Sequence, residues 1–265
     1  MNNKIAILYT TFLRDELMKK TMDSILSNWN NDYILLIGDQ NPTEDKRNKL
    51  KALSNAGYNI EYIELPFDCG LSAARNALVK RAFELGIEFC LLTADSISFD
   101  EKYNLEPVMS FLRASDKRAI VGFELNNRIS WEYDMELIPG KYFYLSIPKR
   151  SSLIENGLPF QPCDICRNIF LAKTSVLHEV QWDEQFKLLE HEDFAHRIKQ
   201  AGYLVFYTDK ILFDYILYKP SIYNYYRKHT SPYMKLLKKK YNITGWVQYE
   251  QVRNTKPPII NTMGV

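Results

Sequence analysis

Apolar and polar positions follow two kinds of pattern in the N-terminal part of the chain. Short apolar runs, typical of buried strands, occupy residues 5–10, 33–39, 59–65 and 88–95. Between these runs apolar residues recur at three- and four-residue intervals, which predicts amphipathic helices. The first helix is predicted from Asp15 onward, with one apolar face formed by Leu17, Met18, Thr21, Met22, Ile25 and Leu26. Strands separated by helices predict a parallel sheet with helices on both faces.

The alternation is looser after about residue 110. The apolar stretches 119–125 and 142–147 predict strands, and residues 167–180 predict a strand that continues into a short helix. A further helix is predicted to end at Gly202 and to be followed by the strand 203–207. No linker rich in Gly, Ser or Pro divides the chain, so we expect one large α/β domain.

Composition narrows the class of protein but not its activity. Hydrophobic residues make up 46% and charged residues 25%, which is typical of a globular protein and excludes a wholly disordered chain. The net charge of +2 does not indicate a nucleic-acid partner. The first apolar run is followed by charged residues instead of a cleavage site, and no run reaches the ~20 residues that span a bilayer. We therefore expect a cytoplasmic protein, in which Cys163 and Cys166 are ordinary thiols and not a disulfide or a zinc site.

Polar residues follow the predicted strands at the edge where ligands bind in such sheets. They are Thr10 and Thr11 after the first strand, Asp39 after the second, Asp68 after the third and Asp95 after the fourth. Aspartate is also a common turn and capping residue, so each position has a purely structural interpretation. Three aspartates at one edge of one sheet nevertheless favour a binding site.

The stretch CGLSAARNALVKRA, residues 69–82, predicts a third helix that starts at Ser72 and is closed by Gly86. Its alanines and Leu78 form a narrow stripe suited to packing on a sheet. Packing does not explain Arg75 and Asn76, which lie in the first turn, where a helix favours anions. A structural salt bridge is the alternative for Arg75.

Five stretches of this chain, in this order, resemble the GT-A glycosyltransferases, and most closely glycosyltransferase family 2. They are TTFLRDELMKKTMDSIL, LLIGDQN, DCGLSAARNALVKRA, LLTADS and WDEQFKLLEHEDFAHRIKQAGY. The resemblance implies a GT-A, Rossmann-like fold in which a mostly parallel central sheet is flanked by helices. It implies a glycosyltransferase domain over residues 1–230, divided into a nucleotide-sugar-binding half, 1–110, and an acceptor-binding half, 111–230. Residues 231–265 form a basic and aromatic C-terminal extension.

On the donor side the resemblance implies a nucleotide sugar lying across the ends of the first four strands. Asp39 is then expected to bind the nucleoside with Thr10 and Thr11 beside the base. Asp68, Arg75, Asn76 and Asp95 complete the predicted donor site.

The resemblance also implies a divalent metal, Mn²⁺ or Mg²⁺, held by Asp95 on the donor diphosphate. The chain departs from the family pattern two positions earlier, where Thr93 replaces an aspartate. Either metal affinity is therefore low or the site needs a further ligand, for which the candidates are Asp214, in the stretch LFDY, and His229.

On the acceptor side the resemblance makes Asp193 the catalytic base, with Glu192 as the alternative. Both acidic residues also suit the N-terminus of a helix, so matching of the helix dipole is their structural interpretation. Trp182 and Asp183 are expected to flank the acceptor, although Trp182 is equally well explained as a core residue.

Together these features predict a metal-dependent inverting glycosyltransferase that uses a UDP-linked hexose or N-acetylhexosamine. The expected acceptor is a glycan or lipid-linked precursor of capsule, lipopolysaccharide or teichoic acid. The lysines and aromatic residues of the extension favour peripheral contact with the inner face of the plasma membrane, with a packed helix as the equal alternative. A nucleotidyl or phosphosugar transferase and a catalytically degenerate binding protein are the competing functions.

Overall fold

The computed structural model describes residues 4–28, 32–99, 103–126, 131–216, 220–248 and 259–260. Its strands are β1 (Ile5–Thr11), β2 (Tyr33–Asp39), β3 (Ile60–Glu64), β4 (Phe89–Ala94), β5 (Ile97–Ser98), β6 (Arg118–Leu125), β7 (Asp134–Ile138), β8 (Tyr142–Ser146), β9 (Leu153–Glu155), β10 (Leu158–Cys163), β11 (Phe170–Lys173), β12 (Leu204–Tyr215), β13 (Gly245–Gln248) and β14 (Ile259–Ile260). Its helices are α1 (Asp15–Ser27), α2 (Glu44–Asn55), α3 (Leu71–Glu84), α4 (Glu106–Arg113), α5 (Thr174–Val180), α6 (His191–Gln200), α7 (Ser221–Arg227) and α8 (Ser231–Tyr241).

The main sheet has the strand order β3-β2-β1-β4-β11-β6-β12-β10-β9. The first four strands are parallel, and β11 is antiparallel to both of its neighbours. Thr11 lies opposite Asp39, and Thr10 lies opposite Ala94, so the carboxyl ends of these strands meet at one edge. The predicted α/β fold is confirmed, with a parallel N-terminal half and a mixed sheet beyond it.

Helices cover both faces of this sheet, which explains why every residue of β1 and β2 is buried. Side chains alternate along β1: Ile5 and Ile7 pack on the side of α1 and α4, whereas Ala6 and Leu8 pack on the side of α3, α5 and α6. The predicted apolar face of α1 is also confirmed, because five of its six residues are buried. The core therefore consists of one apolar layer on each side of a central sheet.

Helix α3 begins one residue earlier than predicted. Its N-cap is Gly70, with φ of 92°, and not Ser72. Ser72 is buried inside the first turn, and its hydroxyl donates to the carbonyl oxygen of Phe186 at 2.6 Å. A Cβ at position 70 would lie 2.6 Å from the backbone of Lys187, so both backbone angle and close approach require glycine there. The predicted end is confirmed, because Gly86 follows the helix with φ of 68°.

The described part of the C-terminal extension packs on the domain. Helix α8 buries Leu237 against Phe143 and Phe186, and β13 pairs in parallel with β8. A second sheet has the strand order β14-β13-β8-β7. The remaining extension, residues 249–258 and 261–265, lies outside the described residues. None of the helices in the described ranges combines the length and apolar character needed to cross a membrane.

Candidate functional site

A cavity of about 800 Å³ opens at the carboxyl ends of β1 to β4. Its walls come from the loops after these strands, the N-terminal ends of α3 and α6, and α7. This volume lies in the range typical of small-molecule sites. The charged residues that line it, with two histidines, are Arg14, Asp68, Arg75, Asp95, Arg167, Lys187, Glu190, His191, Glu192, Arg227 and His229.

Most of the predicted donor-binding residues line this cavity. They are Thr10, Thr11, Asp68, Arg75 and Asp95. The agreement follows from strand register, because the parallel pairing of β1, β2, β3 and β4 brings the loops that follow them together.

Asp39 does not line the cavity, and its role beside the nucleoside stays a prediction. Its carboxylate is completely buried and accepts from the Tyr62 hydroxyl at 2.7 Å and the Asn41 amide at 2.8 Å. Lys46 Nζ lies 3.0 Å from the same carboxylate. The next residue, Gln40, lines the cavity instead. Asp39 therefore holds the end of β2 together.

Arg75 forms a buried salt bridge across the cavity wall. Its Nη1 donates to Glu190 Oε1 at 2.6 Å, and both side chains are almost inaccessible. Burial alone would raise the pKa of Glu190, but the Arg75 guanidinium outweighs burial and holds that pKa below its ordinary value. Arg75 Nε is buried without a hydrogen-bond partner, so one N–H donor of the guanidinium is unpaired. Arg75 therefore forms the salt bridge that its structural interpretation predicts, and it also lines the cavity.

Asn76 makes hydrogen bonds within the protein. Its amide donates to the backbone oxygen of Trp182 at 2.9 Å and accepts from the Trp182 amide at 2.8 Å. The Trp182 ring is buried and stacks on Phe194 with ring centroids 4.1 Å apart. Neither Asn76 nor Trp182 lines the cavity. The pair joins α3 to the loop before α6, and the donor role of Asn76 and the acceptor role of Trp182 stay predictions.

The Asp183 carboxylate also makes contacts within the protein. Its carboxylate accepts from the Gln185 amide at 3.0 Å and pairs with Lys240 Nζ at 2.6 Å. Burial would raise the pKa of Asp183, but these contacts outweigh burial and lower it. Asp183 does not line the cavity. Its contact with the acceptor stays a prediction.

Asp193, the predicted catalytic base, lies on the side of α6 that faces α8. It is 1% exposed, and one carboxylate oxygen contacts the Tyr241 hydroxyl at 2.7 Å and Lys240 Nζ at 2.6 Å. Arg197 Nε lies 3.2 Å from the other oxygen. Asp193 does not line the cavity. Its Oδ2 is buried without a hydrogen-bond partner, and the role of Asp193 as the catalytic base stays a prediction.

Glu192, the predicted alternative, lines the cavity. Its carboxylate accepts no hydrogen bond from any other described residue. Burial raises the pKa of Glu192 to about 7, and the negative charge of Glu190 acts in the same direction. A carboxyl group that titrates near neutral pH is suited to accept a proton from a substrate hydroxyl.

His191 also lines the cavity, and sequence reasoning missed it. Its Nε2 lies 2.6 Å from the carbonyl oxygen of Cys166. A carbonyl oxygen only accepts, so Nε2 carries the proton and Nδ1 is left as the acceptor. Burial lowers the pKa of His191 to about 4, which keeps the ring neutral at physiological pH. The sequence signal that could have identified His191 is its position beside Glu192 in the stretch LLEHED.

Asp95 is completely buried at the end of β4 and is bound by Arg14. Arg14 Nε donates to Oδ2 at 3.0 Å, and Arg14 Nη2 makes a short contact with Oδ1. The Thr11 hydroxyl donates to Oδ2 at 3.2 Å. Burial raises the pKa of Asp95 to about 6 against the opposing effects of Arg14 and Thr11. The sequence analysis did not identify Arg14. Like Thr10 and Thr11, it lies at the edge of the sheet where β1 ends, so the same reasoning could have selected it.

The donor atoms at this edge do not fit the expected divalent-metal site. Both oxygens of Asp95 already accept from Arg14, and Thr93 offers a hydroxyl where the pattern has a carboxylate. Asp214 pairs in register with Ser98 in β5 and does not line the cavity, whereas His229 does. Among the described residues, no group of three or more His, Cys, Asp or Glu side chains could hold a metal ion. The predicted ligand set of Asp95, Asp214 and His229 is therefore corrected.

Helix α7 forms an aromatic wall that the sequence did not reveal. Tyr226 packs against Phe12 with ring centroids 5.1 Å apart, and Phe12 packs against Phe67 at 5.3 Å. The Tyr223 ring lies under the Arg14 guanidinium at 4.0 Å. These contacts bring a segment from the C-terminal half of the chain over the end of β1.

Comparison with solved structures shows a common fold. The chain is similar to the S. aureus TarS 1-349 structure in complex with UDP-GlcNAc, with a TM-score of 0.59 and 13% identity over 83% of this chain. It is similar to the mannosyltransferase PcManGT from Pyrobaculum calidifontis in complex with GDP-Man and Mn2+, with a TM-score of 0.62 and 11% identity over 96% of this chain. The alignments cover 60% of the TarS chain and 66% of the PcManGT chain, so this chain spans less than two thirds of either structure.

Comparison of sequences gives the family. No curated protein matches the chain. Residues 7–168, which are more than half of the chain, match Glycosyl transferase family 2. This range contains most of β1, all of β2, β3 and β4, the loops after them and α3, which together line part of the cavity. The chain therefore belongs to glycosyl transferase family 2.

Proposed function

We propose that this chain is an inverting glycosyltransferase that moves a hexose or N-acetylhexosamine from a UDP-linked donor to a hydroxyl group of a glycan or lipid-linked acceptor. The observation that carries the proposal is the carboxylate of Glu192, which lines the cavity without a hydrogen bond from another described residue. Structures of similar fold that hold UDP-GlcNAc and GDP-Man support a nucleoside diphosphate sugar as the donor class.

In the proposed reaction Glu192 accepts the proton of the acceptor hydroxyl as that oxygen attacks the anomeric carbon. The new glycosidic bond forms on the face opposite the diphosphate, the bond to the diphosphate breaks, and the nucleoside diphosphate leaves with the bonding electrons. One inversion at the anomeric carbon follows from this geometry. The base must be ionised before transfer, and a pKa of about 7 leaves about half of the Glu192 population ionised at neutral pH.

His191 is the competing base, because it lines the same cavity and its Nδ1 is an acceptor. The two residues differ in the pH at which they become competent. Glu192 as base predicts that kcat/KM rises about tenfold per pH unit below about pH 7 and is level above it. His191 as base predicts a level profile at all pH values well above about 4. A pH profile of kcat/KM separates the two residues directly.

On the donor side, Thr10 and Thr11 are proposed to lie beside the base, and Asp68 and Arg75 beside the ribose and sugar. All four line the cavity. The free Nε donor of Arg75 supports this role, because a ligand oxygen would satisfy a buried group that the protein leaves unpaired. No step of the proposed transfer passes through a metal ion.

The acceptor is proposed to be a precursor of a surface polysaccharide assembled on membrane lipid at the cytoplasmic face of the plasma membrane. Exposed Lys235 and Lys239 on α8 support contact with an anionic surface. Lys240 is excluded from this role, because it binds Asp183 and Asp193. We expect binding to anionic liposomes that weakens when both exposed lysines are replaced by glutamine, and the Lys240→Gln variant is the control.

The donor class is tested by thermal shift with UDP-glucose, UDP-GlcNAc, GDP-mannose and UTP, since a ligand that binds only the folded state raises Tm. We expect a nucleotide sugar to stabilise the protein most. Stabilisation by UTP alone would favour a nucleotidyl transferase. The binding nucleotide sugar is then incubated with enzyme and glycan acceptors, and release of nucleoside diphosphate is measured. Binding without release would identify a degenerate binding protein and contradict the proposed function.

A further inference from the structure

The end of β4 presents a guanidinium group where a cation is needed to bind a diphosphate. Arg14 covers both oxygens of Asp95 and is 11% exposed. The other side of the group meets the face of Tyr223 at 4.0 Å. A guanidinium held between a carboxylate and an aromatic ring keeps a fixed orientation, because both contacts are planar. Asp95 thus acts as a positioning residue for Arg14.

A second guanidinium approaches from α7. Arg227 lies 6.0 Å from the centroid of the same Tyr223 ring and lines the cavity. It forms no salt bridge with any carboxylate of the described residues. Arg14, Arg75 and Lys187 differ, because each pairs directly with a carboxylate, that of Asp95, Glu190 and Asp68 respectively. Arg227 has no carboxylate within salt-bridge distance among the described residues, although its charge helps to lower the pKa of Asp95.

We propose that Arg14 and Arg227 bind the diphosphate of the donor directly, in the place where a divalent cation would otherwise act. The inference rests on the proposed function for its ligand and adds the means by which that ligand is held. Guanidinium groups suit this task, because each has five N–H donors, of which Asp95 occupies two in Arg14, and their charge persists at any physiological pH. The donor is then bound without Mn²⁺ or Mg²⁺.

The arrangement also assigns a role to α7. This helix follows β12 at the far end of the domain sequence, yet it carries both Tyr223 and Arg227 to the mouth of the cavity. None of its seven side chains is fully buried, although Tyr226 packs against Phe12 and Phe67. Besides this packing, the helix supplies the aromatic ring that supports Arg14 and a second cation at the cavity.

The test is the affinity of UDP and GDP measured by calorimetry, once with excess EDTA and once with Mn²⁺. We expect the better-bound nucleotide to show the same Kd within about twofold in both conditions. Arg227→Gln should weaken binding at least tenfold in EDTA, since it removes a charge-assisted contact to phosphate. Lys228→Gln is the matched control, because it removes the adjacent exposed charge, which does not line the cavity. Its Kd should be unchanged.

Three results would overturn the inference. Binding that appears only with Mn²⁺ would show that a metal holds the diphosphate, and the proposed function would stand. Equal losses in Arg227→Gln and Lys228→Gln would show a general effect of surface charge. No binding of either nucleotide in any condition would overturn the proposed function as well.

A second measurement does not depend on nucleotide. Mn²⁺ alone is titrated with the protein, and free Mn²⁺ is followed by its electron paramagnetic resonance signal. We expect wild type and Asp95→Asn to leave the signal equally intact, because Asp95 is already occupied by Arg14. Loss of the signal with wild type and its retention with Asp95→Asn would instead identify Asp95 as a metal ligand.

Discussion

The two sides of the first turn of α6 hold neighbouring carboxylates in opposite situations. Glu192 faces the cavity without a hydrogen bond from another described residue, and burial raises its pKa to about 7. Asp193 faces α8, where Lys240 and Tyr241 contact it, and Arg197 of its own helix lies 3.2 Å away. A carboxylate that pairs with cations is engaged within the fold, whereas a buried carboxyl group without such a partner is left available to a substrate. The difference lies in the surroundings and not in the chemistry of the two side chains.

The largest expected effect is on catalysis at Glu192. Glu192→Gln should lower the rate of sugar transfer ~100- to 10,000-fold, because it removes the proton acceptor and keeps the shape of the side chain. Donor affinity should be unchanged. Steady-state transfer and calorimetric donor binding on the same preparation check both expectations. Transfer near the wild-type rate would move the base to His191.

A substitution at the neighbouring residue, Asp193, should change the stability of the protein and not the rate of sugar transfer. Asp193→Asn should lower the free energy of unfolding by about 1–3 kcal/mol, since Lys240 and Arg197 lose a charged partner in a buried setting. The turnover of the folded variant should be near that of wild type. Urea unfolding and transfer assays measure the two effects. A hundredfold loss of turnover in a fully folded variant would restore Asp193 as the base.

Stability should depend on pH in a way that identifies Glu192. Its pKa in the folded protein, about 7, lies above the ordinary value of 4.5. Its contribution to stability is therefore fully present below the unfolded value and is lost as pH rises through about 7. We expect Glu192→Gln to gain stability relative to wild type between about pH 5 and about pH 8. A difference that does not change with pH would show that Glu192 is well solvated.

The smallest effect is expected at the hydroxyl of Tyr241. Tyr241→Phe removes one hydrogen bond to Asp193 and leaves Lys240 in place, so the free energy of unfolding should fall by ~0.5–1.5 kcal/mol. Thermal denaturation beside Asp193→Asn gives the comparison. A larger loss than in Asp193→Asn would mean that the ring, packed against Phe143, and not the carboxylate, dominates this contact.

Much of the fold was predictable because it depends on local patterns. The buried strands β1, β2 and β4 and the apolar face of α1 follow from apolar spacing, and Gly86 ends α3 as expected. Ser72 was misjudged, because its preference for a cap was overridden by the carbonyl of Phe186, far away in the sequence. Local propensity gives way where a tertiary partner competes for the same group.

For this protein the sequence alone determined the α/β class, the family resemblance and the edge of the sheet at which a ligand binds. The positions of the first strands along the chain follow from apolar runs, and polar residues after parallel strands converge at one edge. Only the tertiary structure decided which side chains reach the cavity. Glu192 and Asp193 are adjacent, but successive residues point about 100° apart around a helix, so their roles depend on what packs on each side. Asn76 bonds Trp182, Arg14 covers Asp95 and α7 delivers Arg227 because distant segments meet on folding. Contacts between distant segments leave no local pattern in the amino-acid sequence.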